Sequence, residues 1–138
     1  MTTSLLRAYL VEDSPVIREN LIATLEEMLP LKVVGCTEAE LPAIAWLSDP
    51  CNACDVAIID ILLKQGTGLG VLSAIRSANK SIKLVVLTNF ATKEMRRTCL
   101  GLGADEVFDK SHDIDALMGY CATLAKAETL DVSLDTQH

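Results

Sequence analysis

The sequence predicts an α/β protein, a doubly wound parallel sheet of five strands in the order 2-1-3-4-5 with a helix after each strand. Three observations lead there. Short apolar runs alternate five times with longer segments whose apolar residues recur at helical spacing. Those runs are apolar on both faces, as strands are when helices cover both sides of a sheet. Four of them stop on side chains that bear charge or a hydroxyl: Glu12-Asp13, Asp60, Thr88 and Lys110. In such sheets ligands bind outside the carboxyl ends of the strands, where the strand order reverses.

Residues 5–12 (LLRAYLVE) read as the first strand. Ser14-Pro15 then starts a helix, a capping serine followed by proline at the first helical position. Ile17, Leu21, Leu25 and Met28 continue it at helical spacing, and Pro30 stops it. Residues 31–37 (LKVVGCT) form the second strand, and residues 39–48 carry helical spacing through Leu41, Ile44 and Leu47 up to Asp49-Pro50. The third strand is 55–60 (DVAIID); after a loop with Gly66 and Gly68, the pattern from Leu69 through Leu72 and Ile75 to Arg76 and Lys80 predicts a third helix. Residues 82–88 (IKLVVLT) form the fourth strand, 92–102 a helix closed by Gly103, and 105–110 (DEVFDK) the fifth strand. The last helix is expected over 113–127, with Ile114, Leu117, Met118, Cys121 and Leu124 on one side. Residues 1–127 thus make one domain, with 128–138 expected as a polar tail. Crossovers between parallel strands should be right-handed.

Composition narrows the function. The 138 residues suffice for one domain with a sizeable core, half of them are hydrophobic, and only 4% are aromatic, so that core must be aliphatic. With 12 basic and 19 acidic residues the net charge is −7, which opposes nonspecific binding to nucleic acid or to anionic membranes. No apolar run approaches the roughly 20 residues that span a bilayer. The first residues, MTTSLLRAYLVED, do not read as a signal peptide, so a cytoplasmic location is the default. Five cysteines, three of them within apolar segments (Cys36, Cys99, Cys121), fit reduced thiols in a reducing compartment.

The strand ends carry the chemistry. In the 2-1-3-4-5 order, strands one and three flank the switch point, so Glu12, Asp13 and Asp60 converge there, with Thr88 and Lys110 nearby. Three clustered carboxylates repel one another unless a cation intervenes, and an oxygen-rich, partly hydrated acidic site suits Mg²⁺. A divalent cation, an ammonium and a hydroxyl around one carboxylate make a pocket for a tetrahedral anion. The reading that follows is a phosphoryl group carried covalently on an aspartate.

The set VED (11–13), IID (58–60), VLTN (86–89) and FDKS (108–111) resembles the receiver domain of bacterial two-component response regulators, over about residues 5–127. The resemblance implies a flavodoxin-like (βα)5 fold with Asp60 as phosphoacceptor. It implies that Glu12, Asp13, Asp60 and the backbone carbonyl of Leu62 hold Mg²⁺, that Lys110 contacts the phosphoryl group, and that Thr88 is the switch hydroxyl. An aromatic switch on the fifth strand would be Phe108, reporting on Thr88 by packing. The partner implied is a histidine kinase or histidine phosphotransferase, docking near residues 15–29 and the loops around the site. The output surface implied is 92–127, for an unknown partner or for phosphorylation-dependent pairing with a second copy. Such a domain is a switch and a substrate more than an enzyme.

Two positions depart from the family pattern. Lys64 stands where a proline commonly follows the phosphoacceptor by four positions. Ser111 replaces the proline often found after the lysine; in the family that peptide bond is typically cis, and it is expected to stay cis here, although a cis bond to a non-proline costs about 3–4 kcal/mol. In the family the positions two past the phosphoacceptor and the switch threonine flank the site and influence dephosphorylation. Here they are the apolar Leu62 and Phe90, so the resemblance implies slow self-dephosphorylation, since these side chains should hinder water or fail to orient it.

Other motifs weigh less. CNAC (51–54) is one CxxC without a second pair of ligands, the only histidines are His112 and His138, and it lies at the wrong end of the third strand for the site, so two loop cysteines are expected. Lys93, Arg96 and Arg97 read as a solvated helical face, or as a patch for an acidic partner. Trp46 reads as packing. Gly66, Gly68 and Gly70 look like a phosphate loop but lack the dinucleotide fingerprint and the P-loop lysine. Two rivals remain at this level: a flavin or nucleotide binder, which the acidic EDSP loop disfavours, and a pseudo-receiver that binds a partner without phosphorylation.

Overall fold

The computed structural model describes residues 5–78 and 81–136, with backbone alone from residue 128. Five strands alternate with five helices: β1 (Leu6–Val11), α1 (Pro15–Met28), β2 (Leu31–Thr37), α2 (Glu40–Ser48), β3 (Val56–Ile59), α3 (Gly68–Ala78), β4 (Lys83–Thr88), α4 (Lys93–Gly101), β5 (Glu106–Asp109) and α5 (Ile114–Thr136). The strands are all parallel and stand in the order β2-β1-β3-β4-β5. The fold class and strand order are those the sequence predicts.

Period-two alternation splits the strand side chains between two cores. Tyr9, Val11, Ala57, Ile59, Leu84, Val86 and Val107 face Ala43 and Leu47 of α2, Val71, Leu72 and Ile75 of α3, and Cys99 of α4. Ala8, Leu10, Ile58, Val85, Leu87 and Phe108 face Leu21 and Leu25 of α1 and Leu117 and Cys121 of α5. Each fully buried aliphatic side chain contributes about 1.5–3 kcal/mol relative to exposure, so the central strands β1, β3 and β4 fix the sheet. Trp46 is a packing residue, as expected: its ring stacks on Tyr9 at 4.2 Å between centroids.

Local signals place the helices. Ser14 accepts the Ile17 N–H and Pro15 opens α1, while Thr92 accepts the Met95 N–H at the start of α4. The apolar stripes are narrower than the sequence suggests. In α1 only Leu21 and Leu25 are buried, and Met28 is exposed. In α2 the buried pair is Ala43 and Leu47. Leu41 is exposed, because two positions at about 100° each turn it away from Ala43. The third helix was expected to reach Lys80, which lies outside the described residues. The last helix runs to Thr136, past its expected end at 127.

Candidate carboxylate site at the strand ends

The register of the central strands builds the site before any side chain is considered. Val11 of β1 pairs with Ile59 of β3, so the next residues, Glu12 and Asp60, leave the sheet side by side. The Asp60 N–H donates to the Val11 carbonyl at 2.9 Å and the Glu12 N–H to Thr37 at 2.9 Å. On the other side, Thr88 pairs with Asp109, and the Lys110 N–H donates to the Thr88 carbonyl at 3.0 Å. Four residues named from the sequence, Glu12, Asp60, Thr88 and Lys110, thereby stand at the carboxyl edge of the sheet.

Carboxylate oxygens of Glu12, Asp13 and Asp60 all lie within 4.8 Å of one another. Glu12 and Asp60 are buried, and Asp13 is half-buried. The Lys110 ammonium reaches both buried acids, Nζ to Asp60 Oδ2 at 2.7 Å and to Glu12 Oε1 at 2.5 Å. Glu12 Oε2 accepts the Ser14 N–H at 3.0 Å, and Arg18 donates to the Glu12 carbonyl at 3.1 Å.

The electrostatics follow from this packing. Burial pushes the Glu12 carboxyl above its ordinary range, against the pull of its hydrogen bonds with Lys110 and Ser14, and Asp60 adds repulsion. Burial alone would lower the Lys110 ammonium, but its hydrogen bonds to Asp60 and Glu12 outweigh that, and its pKa is raised. With all groups charged, three carboxylates and one ammonium leave two negative charges uncompensated. A hard divalent cation supplies two positive charges and takes oxygen ligands, so the donor set fits Mg²⁺.

Thr88 is fully buried at the end of β4, and its Oγ1 accepts the Phe90 N–H at 3.2 Å, which leaves the hydroxyl proton to be donated elsewhere. Phe108 is not brought to it. The ring packs in the α1–α5 core with Leu87 and lies 6.0 Å from Tyr120. Thr88 continues the opposite series, Leu84 and Val86, and the β5 residue on that face is Val107. The expectation that Phe108 reports on Thr88 by packing is therefore corrected: adjacent strand positions point to opposite faces.

Two departures from the family pattern resolve in the loops. The Lys110–Ser111 peptide is trans, contrary to the expectation of cis, because no proline lowers the cost of the cis form there. Its N–H, which a proline would lack, donates to Asp109 Oδ1 at 2.7 Å. Lys64 pairs with Glu38 at 3.6 Å rather than with the buried acids, an exposed contact of small energetic worth. Leu62, two residues past Asp60, bridges Thr67 through its backbone; its side chain is half-exposed, as is that of Phe90.

The glycine-rich loop is not a phosphate cradle. Glu40 Oε1 accepts the Thr67 N–H at 2.7 Å, and a Cβ at Gly70 would lie 2.2 Å from Glu40 Oε2, so a carboxylate already fills that space. Gly68 has a different reason: a Cβ there would lie 2.2 Å from the backbone oxygen of Asp60. Neither role was legible from the spacing. The cysteines are free thiols, and burial pushes the Cys54 thiol up to about 12, away from the low-pKa range of a reactive thiolate. In the basic patch, Arg96 is not a free surface charge. It donates to the carbonyls of Ala91 and Val107 and pairs with Asp113, leaving Lys93 and Arg97 exposed.

Fold and pocket together define a parallel α/β protein with a carboxylate cluster and a lysine at its topological switch point. Residues 8–122 match the family described as response regulator receiver domain, and the chain belongs to that family of two-component systems. Among curated proteins it is 29% identical over 100 residues to the DNA-binding transcriptional activator DevR/DosR of Mycobacterium tuberculosis, a match covering 72% of this chain and 45% of that protein. The chain spans about half or less of the length of the first such relatives. Among solved structures, a LuxR-family two-component response regulator from Aurantimonas superposes with a TM-score of 0.80 at 20% identity, covering 90% of this chain and 87% of that one. A response regulator from Burkholderia pseudomallei, solved with a phosphorylated aspartic acid, calcium ion and citrate, superposes with a TM-score of 0.73 at 17% identity, covering 94% and 74%. Among the described residues no helix is long and apolar enough to cross a membrane.

Proposed function

We propose that the chain is a phosphorylatable switch that accepts a phosphoryl group on Asp60 from a histidine kinase or histidine phosphotransferase. The observation that carries this reading is the single lysine held between two buried carboxylates, Asp60 and Glu12, with Asp13 beside them. An Asp60 oxygen attacks phosphorus; the donor's P–N bond breaks with its electron pair passing to the imidazole nitrogen, and a P–O bond to the carboxylate forms. Glu12, Asp13, Asp60 and the Leu62 carbonyl would hold Mg²⁺, which when bound neutralises charge on the phosphoryl oxygens. Lys110 offers its ammonium to the same oxygens, and Thr88 its hydroxyl proton. The carboxylate's single charge gives way to about −1.5 to −2, which biases the surface of residues 92–127 toward an output partner or a second copy. The chain is on this reading a substrate and switch of the cytoplasm, with at most slow self-dephosphorylation.

The phosphorylated aspartate of the Burkholderia relative supports this reading by analogy of fold. The flavin or nucleotide reading loses support at the start of α1, where the amides that would cradle a phosphate are bonded to Glu12 and Ser14. Intact mass after incubation with acetyl phosphate, with and without Mg²⁺, tests the proposal. A metal-dependent phosphoryl adduct in the wild type and none in Asp60→Asn is expected; an adduct that survives Asp60→Asn refutes it.

A further inference from the structure

We propose that Asp109 is the positioning residue that aims Lys110 at the buried carboxylates, by accepting hydrogen bonds from the backbone that follows it. The inference rests on the phosphoacceptor reading of Asp60 and deepens it. Asp109 touches none of the reacting atoms; it acts through the backbone on either side of its neighbour.

Lys110 is fixed on its amino side by its N–H bond to Thr88 at 3.0 Å. Beyond it the chain must turn at once, since α5 begins at Ile114. Asp109 Oδ1 closes that turn by accepting the N–H groups of Ser111 at 2.7 Å and His112 at 3.2 Å. Asp113 closes the loop in return. Its Oδ2 accepts the Asp109 N–H at 2.9 Å, and its own N–H donates to the Asp109 carbonyl at 2.9 Å. Arg96 Nη2, 3.2 Å from Asp113 Oδ2, braces this second carboxylate from α4. Lys110 thus sits inside a loop whose backbone cannot rotate without breaking several bonds. A lysine has a long flexible stem, and the direction of its Cα–Cβ bond decides whether the ammonium reaches one place. Here it reaches two buried oxygens at once. The bonds to Ser111 and His112 also favour the ionised Asp109, whose pKa is lowered.

The test compares Asp109→Ala, which removes the acceptor, with Asp109→Asn, which keeps a carbonyl oxygen for the Ser111 N–H. Two readouts are taken on each folded variant: the rate of Asp60 phosphorylation by acetyl phosphate with saturating Mg²⁺, and the ¹⁵N resonance of the Lys110 ammonium. Asp109→Ala should slow phosphorylation by roughly tenfold or more at saturating donor, since small misplacements of a reacting group are costly. It should also abolish the sharp ammonium signal of a buried, ion-paired lysine. Asp109→Asn should restore both. Wild-type rate and signal in Asp109→Ala, or an Asp109→Asn as impaired as the alanine variant, would overturn the inference. A wild type that takes no label, but whose Lys110 signal is lost in the alanine variant and kept in the asparagine variant, would support Asp109's positioning of Lys110 and overturn instead the phosphoacceptor reading of Asp60.

Discussion

Replacing Lys110 with methionine removes, among the described residues, the one positive charge that touches both buried carboxylates, while keeping a stem of similar length. Its ammonium lies 2.7 Å from Asp60 and 2.5 Å from Glu12, and its side chain is 11% exposed. At an effective dielectric near 20, each contact is worth about 6 kcal/mol gross, and desolvating the ammonium offsets much of that. Removing one partner from a buried pair typically costs 3–5 kcal/mol. Asp13 keeps the cluster partly hydrated, which places Lys110→Met at the lower end, about 3 kcal/mol. For a domain of this size that is a fall in melting temperature of about 10 °C.

The dependence on conditions has a definite sign. Glu12 has a raised folded pKa, so its contribution is present at low pH and lost as pH rises through that pKa. Without Lys110 the loss deepens, so the gap between variant and wild type should be large at neutral pH and shrink toward acid. Lys110 also has a raised pKa, so its own stabilisation is present below the ordinary lysine value and fades as pH rises above it. Thermal melts in EDTA across this range measure the gap. On the proposed metal reading, Mg²⁺ should raise the variant more than the wild type, because the cation no longer shares the carboxylates with an ammonium. A variant that melts within about 2 °C of wild type at neutral pH in EDTA refutes the claim that Lys110 compensates this cluster.

Two further outcomes are expected. Burial raises Cys54 from 9.0 to about 12 and Tyr9 from 10.0 to about 12, so both stabilise the fold below their ordinary values and lose that contribution as pH rises toward 12; Cys54→Ala should flatten the alkaline fall in melting temperature, and parallel curves for the two proteins would count against it. On the proposed phosphoacceptor reading, the half-exposed apolar side chains of Leu62 and Phe90 offer no group to orient a hydrolytic water, so a phospho-form should persist for minutes and the pair Leu62→Asn, Phe90→Glu should shorten its life by roughly tenfold or more; decay of the wild type within seconds, followed by intact mass, contradicts this.

How much of this was legible in the sequence differs from residue to residue. Glu12, Asp13, Asp60, Thr88 and Lys110 could be found because each closes an apolar run, and a parallel sheet carries all such ends to one edge. Phe108 was misjudged because neighbouring strand residues point to opposite faces, and which of them shares the face of Thr88 depends on the register between β4 and β5. Leu41 and Met28 fit the helical period, yet each helix buries only the arc that meets the sheet.

The sequence by itself determined the βα order, the strand ends and the charge of the pocket, since these follow from local periodicity and residue type. Only the tertiary structure decided what the loops do. Glu40 fills the space between the glycines from a different helix, and Arg96 reaches across from α4 to Asp113. Asp109 accepts the N–H groups of Ser111 and His112, which follow it. Such partners meet because the sheet brings their elements together, and a hydrogen bond a few ångströms long leaves no period in the chain that makes it.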